Sequence, residues 1–321
     1  MLNGLDTLYF AQAKWRMPIP LSLMPSIHCA AAAAVTFPRR ARLLTGGRLS
    51  MKCVCLNPRR SWTSCAVPGK SVHWPHTRAM EKCRPGMYEY QLQGEIEHEF
   101  VSNGARFPSY NTIVGSGENG CILHYTENEC RMKDGDLVLI DAGCEIEGYA
   151  GILPVLPGER QIQQEQREIY DLVLETLDVS LELYRPGTSI AEVTDRVVEI
   201  MTEGLVKLGL LTGDVPHLIE TKAYRAFFMH SLSHWLGLDV HDVGHYGTER
   251  DRILEPGMVL TIEPGLYIAP DADVPEAYRG IGVRIEDDIV ITADGNENLT
   301  ASVVKTADDI EALMAQAKQA E

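Results

Sequence analysis

The sequence predicts an α+β fold, and three observations support this class. Residues 161–184 and 189–208 carry apolar side chains at helical spacing, whereas residues 137–141, 258–263 and 283–291 have the length and the apolar or β-branched content of strands. The hydrophobic fraction of 45% and the charged fraction of 23% are ordinary for a folded chain of 321 residues and exclude wholesale disorder. No apolar run reaches the roughly 18 residues of a membrane-spanning helix, so we expect no membrane partner.

Charge divides the chain near residue 76. Residues 1–75 contain ten Lys and Arg but one acid, Asp6, whereas residues 76–321 carry 19 basic and 44 acidic residues. The whole chain has a net charge of −16 and a pI near 5.1, which argues against nucleic acid as a partner. Prolines interrupt each candidate element before residue 76, so we predict an irregular segment over 1–75, with a targeting segment as the alternative, and a folded domain over 76–321.

The folded domain opens with a predicted helix and a predicted hairpin. Residues 89–101 have the composition and spacing of a helix. The turn Asp134-Gly135 precedes the strand over residues 137–141. Residues 144–149 follow so closely that we predict them to return antiparallel to this strand.

Two long helices come next in the prediction. The helix over residues 161–184 stops at an Arg-Pro-Gly sequence, which cannot continue it. Ser189 and Glu192 form a capping-box pattern that starts the second helix, which reaches about residue 208. The later predicted elements are strands over residues 258–263 and 283–291 and a helix from about residue 307, with mainly antiparallel hairpins.

Three acidic residues lie at or near the ends of apolar strands: Asp141, Glu263 and Glu286. A carboxylate that points into a domain from such a run is costly to bury unless a cation neutralises it. Each acid alone is more often a turn residue or a helix cap. Three of them together with imidazoles indicate a site for a hard metal such as Mn²⁺, with Zn²⁺ or Co²⁺ as alternatives.

Three histidines, His230, His234 and His241, fall within 12 residues. A single histidine with apolar neighbours is usually a core residue, but three beside Gly237 indicate a functional site. The acids and histidines provide oxygen and nitrogen ligands without a thiolate. This set is typical of metal-assisted hydrolysis.

Five ordered blocks resemble the bacterial Xaa-Pro aminopeptidase (aminopeptidase P) family. They are residues 124–129, 141–145, 230–242, 262–267 and 284–288. The resemblance runs from residue 76 to about residue 317. It implies a pita-bread fold, in which two pseudo-symmetric halves surround two Mn²⁺ ions. It also implies an enzyme that removes the N-terminal residue from peptides with proline in second position.

The resemblance also assigns roles to single residues. The implied metal ligands are Asp141, His234, Glu263 and Glu286. The implied catalytic residues are His124, His230, His241, Glu263 (which would pass a proton to the leaving group) and Arg284, which would orient the carboxylates.

One position departs from the family. The family has Gly-Tyr-Ala-Gly-Asp-Ile-Thr-Arg, whose Asp bridges both metals, whereas this chain reads Gly-Tyr-Ala-Gly-Ile152-Leu-Pro-Val and is one residue shorter before the resemblance resumes. A short frame slip can convert Asp-Ile-Thr-Arg into Ile-Leu-Pro-Val. Because Ile152 has no ligand atom, we expect at least one metal to bind weakly and activity to be impaired.

The first 75 residues also differ from the family. Residues 1–12 resemble a stretch late in the family's N-terminal domain, and the motifs then stop until residue 76. We therefore predict a remnant or an out-of-frame copy of that domain. Because the domain helps to build the family's homo-oligomer, the resemblance supports an oligomer only weakly here. The cysteines form no paired motif, so we expect free thiols in a reducing cytoplasm.

Two alternatives to this aminopeptidase remain. A prolidase-type dipeptidase or a methionine aminopeptidase would share the fold but differ in the substrate length or sequence that it accepts. A catalytically inactive remnant of the fold would bind peptides without hydrolysing them at saturating Mn²⁺.

Overall fold

The computed structural model describes residues 9–10, 44–45, 73–146, 149–151 and 162–319. The prediction for residues 1–75 therefore lies almost wholly outside the described residues, and the replaced position Ile152 lies outside them altogether. Within the first 75 residues, the described pieces are β1 (Tyr9–Phe10) and β2 (Leu44–Thr45), which pair in parallel, and residues 73–75, which begin a helix.

The first half of the domain combines two helices with short antiparallel strands. Its elements are α1 (His73–Lys82), α2 (Glu89–Ser102), β3 (Phe107–Pro108), β4 (Ile113–Ser116), a 3₁₀ turn (Gly117–Cys121), β5 (Val138–Asp141), β6 (Cys144–Ile146) and β7 (Tyr149–Gly151). Strand β4 pairs with β5, and β6 lies between β3 and β7. The predicted helix and the predicted strand thus both form, with boundaries moved by about one residue.

The predicted hairpin between residues 137–141 and 144–149 is wrong. Strand β5 takes β4 as its partner, with Ile113 opposite Asp141, and β6 makes its hairpin with β7. Only Ala142 and Gly143 separate β5 from β6, and Gly143 accepts a hydrogen bond from the backbone N–H of Ser109. The chain therefore passes from one sheet to the next instead of reversing.

The second half contains the longest helices. Its elements are α3 (Gln164–Leu183), α4 (Ile190–Lys207), α5 (Val215–Glu220), β8 (Val259–Ile262), β9 (Gly265–Tyr267), β10 (Gly282–Arg284), β11 (Asp287–Ile291), β12 (Asn296–Asn298) and α6 (Ala307–Gln319). Strands β8, β11 and β12 form one antiparallel sheet, and β9 pairs with β10. The α+β class and the antiparallel pairing of this half are as predicted.

The strand predicted over residues 283–291 is two strands. Strand β10 pairs with β9, whereas β11 pairs with β8, so the chain changes partners at Ile285 and Glu286. At this break the N–H of Ile285 donates to the carbonyl of Pro264. Both strands are buried and neither glycine nor proline separates them, so the sequence carries no turn signal at the break.

The core lies between the long helices and the strands of the second half. Helix α3 packs against α4, α6 and the strands β8, β9 and β10. The largest side chains buried there include Trp235, Tyr170, Tyr184 and Phe228. Among the described helices, none combines the length and the apolar composition that crossing a membrane requires.

The capping box at the start of α4 is confirmed, and it can be tested. The Ser189 side chain accepts from the N–H of Glu192, and the Glu192 side chain accepts from the N–H of Ser189. Replacing Ser189 by Ala should lower the free energy of unfolding by about 1 kcal/mol, measured by urea titration. The exposed Glu203 of the same helix is the control, and Glu203→Ala should change that free energy by less than about 0.5 kcal/mol. Equal effects of the two substitutions would contradict a stabilising cap.

Candidate metal centre

Strand pairing brings two of the predicted acidic ligands together. Strands β8 and β11 are antiparallel with Ile262 opposite Asp287. Glu263 follows Ile262 and Glu286 precedes Asp287, so both acids lie at the same end of this pair. The linear sequence does not show that Glu263 and Glu286 are neighbours, because they are 23 positions apart.

A third predicted ligand reaches the same place through the segment beside β8. The N–H of Thr261 donates to the carbonyl of His234 at 3.0 Å, and the N–H of Glu263 donates to the carbonyl of Leu232 at 2.9 Å. These bonds hold His234 next to Glu263. The His234 Nε2 atom lies 3.4 Å from the nearer oxygen of Glu263.

His234, Glu263 and Glu286 fit a metal ion in both geometry and chemistry. Each offers one ligand atom, and these atoms all lie within 4.8 Å of one another. The Oε1 atom of Glu286 is buried and has no hydrogen-bond partner among the described residues, an arrangement that is costly without a cation. One imidazole and two carboxylates form a nitrogen and oxygen set suited to Mn²⁺, Zn²⁺ or Co²⁺.

Asp141, the fourth predicted ligand, does not belong to this group of three. Its Oδ2 atom is 2.5 Å from Nη2 of the buried Arg284, and its Oδ1 atom accepts a hydrogen bond from the hydroxyl of Tyr110. Both oxygens are therefore engaged by protein donors. Its role as a metal ligand stays a prediction.

Arg284 connects Asp141 to a second histidine. Its Nη1 donates to the hydroxyl of Tyr267 at 2.8 Å, and that hydroxyl lies 2.9 Å from Nε2 of His230. The Nδ1 atom of His230 lies 3.0 Å from the carbonyl of Ser231, which can only accept. The bonds therefore assign the proton of His230 to Nδ1, with Nε2 as an acceptor.

Burial keeps both inner histidines neutral. It lowers the pKa of His230 to about 4, and the hydrogen bond to the carbonyl of Ser231 opposes this only partly. Burial likewise lowers the pKa of His234 to about 4, helped by the neighbouring His241. The Nδ1 atom of His234 lies 3.1 Å from the carbonyl of Trp235, so Nε2 keeps its lone pair on the side of Glu263. A neutral imidazole with a free nitrogen is the form that binds metals.

The two acids of the group experience the opposite shift. Burial raises the pKa of Glu263 to about 8, and the charge of Arg284 opposes this shift. Burial also raises the pKa of Glu286, and the adjacent charges of Glu263 and Asp141 add to the effect. A divalent cation between these carboxylates would remove the repulsion and favour their ionised forms.

All eight predicted site residues line one cavity of about 770 Å³. His241 is exposed, and its ring packs edge-on against His234 with centroids 4.4 Å apart. His124 is also exposed and lies on the segment that follows the 3₁₀ turn. The structure thus brings together residues from five separate parts of the chain.

The sequence did not identify three polar residues of this site. Tyr110 and Tyr267 contact Asp141, Arg284 and His230 as described above, and Arg250 lines the cavity while stacking over the ring of Tyr246 at 4.5 Å. Arg250 has a φ of +62°, which is uncommon for a residue other than glycine. A lone tyrosine or arginine carries no spacing signal, so only the fold could have located them.

Comparison with known proteins assigns a family. The sequence profile described as "Metallopeptidase family M24" matches residues 74–293. "Xaa-Pro aminopeptidase" of Escherichia coli (strain K12) is 61% identical over 322 residues, an alignment that covers 99% of this chain and 73% of that protein. "Xaa-Pro aminopeptidase" of Haemophilus influenzae is 58% identical over 240 residues, 74% of this chain and 56% of that protein.

A solved structure agrees with the sequence comparisons. The structure described as aminopeptidase P from E. coli with the inhibitor Pro-Leu matches with a TM-score of 0.88 and 60% identity, over 99% of this chain and 72% of that one. This match confirms the pita-bread fold. The E. coli alignments also extend beyond the three quarters of the chain that the motifs covered, into the residues before 76.

Proton release on metal binding tests the raised acidic pKa values. With a pKa of about 8, the metal-free Glu263 is mostly protonated at pH 7, whereas a metal ligand must be ionised. Binding of Mn²⁺ at pH 7 should therefore release about one to two protons, measured by calorimetry in buffers of different ionisation enthalpy. Glu263→Gln should release about one proton fewer. Binding without proton release would show that the carboxylates are already ionised.

The same shift predicts how stability of the metal-free protein depends on pH. Glu263 has an ordinary pKa of 4.5 when unfolded and a pKa of about 8 when folded. Its contribution to the free energy of unfolding is therefore complete below pH 4.5 and is lost as the pH rises through 8. His230 and His234 are neutral in both states above about pH 7.5, one unit above their unfolded pKa, and add no pH dependence there. The free energy of unfolding should thus fall between about pH 7.5 and 8.5, and this slope should be smaller in Glu263→Gln. A slope that is unchanged in the variant would contradict the assignment.

Proposed function

The chain belongs to metallopeptidase family M24, and on this premise we propose that it is a metal-dependent aminopeptidase for peptides with proline in second position. The observation that carries the proposal is the group of His234, Glu263 and Glu286, whose ligand atoms face one another in a large cavity. The relatives named Xaa-Pro aminopeptidase support the choice of substrate, since both exceed half identity over the regions that they share with this chain.

His234, Glu263 and Glu286 would hold the metal, and we propose Mn²⁺ as its identity because the ligand set is rich in hard oxygen atoms. Asp141 is the proposed fourth ligand, on the side of the cavity where Arg284 and Tyr110 orient its carboxylate. A bound divalent ion supplies a Lewis acid for the scissile carbonyl and lowers the pKa of water. The family's second ion would use the same carboxylates.

The surrounding residues are proposed to bind the peptide and move the proton. Glu263, which is ionised as a metal ligand, would accept the proton that the attacking water loses and pass it to the proline nitrogen that leaves. His230 and His124 would contact the peptide, and His241 would exchange protons with solvent at the cavity mouth. Asp239 adds a further acid to the lining, which favours a cationic peptide N-terminus.

We also propose that metal loading is impaired in this chain. The family's bridging Asp is replaced at position 152 by isoleucine, which cannot bind a cation. The remaining ligands are present, so the expected defect is weaker binding of one ion and not loss of the site.

We further propose that the chain works in the cytoplasm. The four described cysteines, Cys83, Cys121, Cys130 and Cys144, are all free thiols, which is typical of a reducing compartment. The homo-oligomer of the family remains a weaker expectation for this chain.

A panel of peptides tests the proposed activity. With Mn²⁺, we expect release of the first residue from Ala-Pro-Ala, no release from Ala-Ala-Ala, and none from N-acetylated Ala-Pro-Ala, measured by chromatography of the products. Glu263→Gln should lower kcat/KM by about 10²-fold or more, since it removes both a ligand and a proton carrier. Cleavage of Ala-Pro alone would instead identify a prolidase-type dipeptidase. Binding without hydrolysis at saturating Mn²⁺ would identify an inactive remnant.

A repair series tests the impairment. The repaired variant combines Ile152→Asp with Leu153→Ile, Pro154→Thr and Val155→Arg at the unchanged chain length, and its control carries the last three changes only. We expect the repair to tighten binding of the weaker Mn²⁺ ion by more than about 10–100-fold relative to the control and to raise kcat as well. That range is typical for the loss of a residue that only orients a ligand, and the loss of a ligand itself should cost more. Metal content would be measured by mass spectrometry after dialysis. Equal metal affinity in both variants would contradict a ligand defect.

A further inference from the structure

A buried carboxylate outside the metal centre has no role in the function described so far. Glu89 is the first residue of α2, is 0% exposed, and does not line the cavity. Among the described residues no Lys or Arg forms an ion pair with it. Burying an acid in this way is costly unless hydrogen bonds satisfy both oxygens.

Five donors satisfy this carboxylate, and all of them come from residues 116–130, here named the tethered segment. Oε1 accepts from the backbone N–H of Ser116 at 2.8 Å, its hydroxyl at 2.6 Å and Nδ2 of Asn119 at 3.0 Å. Oε2 accepts from the hydroxyl of Tyr125 at 2.8 Å and the N–H of Cys130 at 2.9 Å. One side chain thus binds both ends and the middle of a segment of 15 residues.

The tethered segment forms one wall of the catalytic cavity. Leu123, His124 and Thr126 line the cavity, and they flank Tyr125. The His124 side chain is exposed and its ring forms no hydrogen bond with another described residue, so the backbone on which it sits determines its position. Tyr125 is buried in a cluster with Tyr267, which itself contacts His230 and Arg284.

The opposite side of the segment rests on the strands of the metal centre. The Cys121 thiol donates to the carbonyl of Ile268 at 3.3 Å. A Cβ atom at Gly282 would lie 2.2 Å from the carbonyl oxygen of Gly120, so this approach requires glycine. Strand β10 begins at Gly282 and ends at Arg284. The segment is therefore held between Glu89 and the strands that carry Tyr267 and Arg284.

We propose that Glu89 is a positioning residue that places His124 over the cavity by holding the tethered segment. It does not touch substrate or metal and acts through the five hydrogen bonds. The inference rests on the proposed peptidase function, because it assigns Glu89 a part in presenting the peptide to the metal centre.

A carboxylate is required because a glutamine cannot accept on both sides. If the amide nitrogen of Glu89→Gln replaced Oε1, it would oppose the N–H of Ser116; if it replaced Oε2, it would oppose the N–H of Cys130. Hydroxyl groups can rotate and accept, but a backbone N–H cannot. Either orientation therefore releases one end of the tethered segment while conserving side-chain volume.

The experiment compares Glu89→Gln with Glu95→Gln. Glu95 lies on the same helix as Glu89, and its side chain forms an ion pair with Arg78 on α1. The first measurement is the rate of hydrogen exchange of residues 117–130. It is combined with NMR spectra of the His124 ring, whose signal is identified because it is absent from the spectrum of His124→Asn. Glu89→Gln should speed exchange in the segment by at least about tenfold and shift or broaden the His124 signal, whereas Glu95→Gln should change neither. Affinity for Mn²⁺ should stay within about twofold in both, since none of the ligands lies in the segment.

The second measurement is a double-mutant cycle on kcat/KM with Ala-Pro-Ala. If Glu89 acts through His124, Glu89→Gln should lower kcat/KM by about 10–100-fold alone and by less than about twofold when His124 is already Asn. Full additivity of the two substitutions, or an unchanged His124 signal with unchanged exchange, would overturn the inference. Absence of hydrolysis in the unsubstituted chain would count against the proposed function, while exchange and NMR would still decide the positioning role.

Discussion

The close burial of acidic side chains against a single buried guanidinium is the constraint on which the site depends. Asp141, Glu263 and Glu286 line one cavity. The buried guanidinium of Arg284 forms an ion pair with Asp141. Arg284 and the half-buried Arg250 cannot balance three carboxylates, so burial and mutual repulsion raise the pKa values of Glu263 and Glu286. A divalent cation resolves this imbalance, and the orphaned oxygen of Glu286 is the place where the imbalance is most evident.

The neutral polar residues follow from the same constraint. Arg284 uses its two terminal nitrogens for Asp141 and Tyr267, Tyr267 contacts His230, and the carbonyl of Ser231 fixes the tautomer of that histidine. His234 is fixed by the carbonyl of Trp235 in the same manner. Tyrosine hydroxyls and backbone carbonyls thus orient the imidazoles without adding charge, so the carboxylates provide the negative charge that would attract a cation.

The fold supports this arrangement from two sides. On one side, the change of partner between β10 and β11 places Glu286 beside Glu263, and the segment next to β8 adds His234. On the other side, the buried carboxylate of Glu89 gathers the segment that carries His124. Both devices use backbone hydrogen bonds to hold short irregular segments, which have little regular structure of their own.

Local properties of this protein could be read from the sequence. The helices α2, α3, α4 and α6, the capping box at Ser189 and the candidate acids and histidines at 141, 230, 234, 241, 263 and 286 were predicted, because helical spacing, caps and such motifs lie within short windows. His124 and Arg284 followed from the family resemblance. Only the tertiary structure decided that β5 pairs with β4 and that the strand predicted over residues 283–291 divides at Ile285. It also decided that Arg284 and Tyr110 hold Asp141, and that Glu89 binds the segment of residues 116–130. These outcomes depend on strand pairing and burial between residues distant in sequence. Such pairings are chosen by competition among whole surfaces, and no local pattern records them.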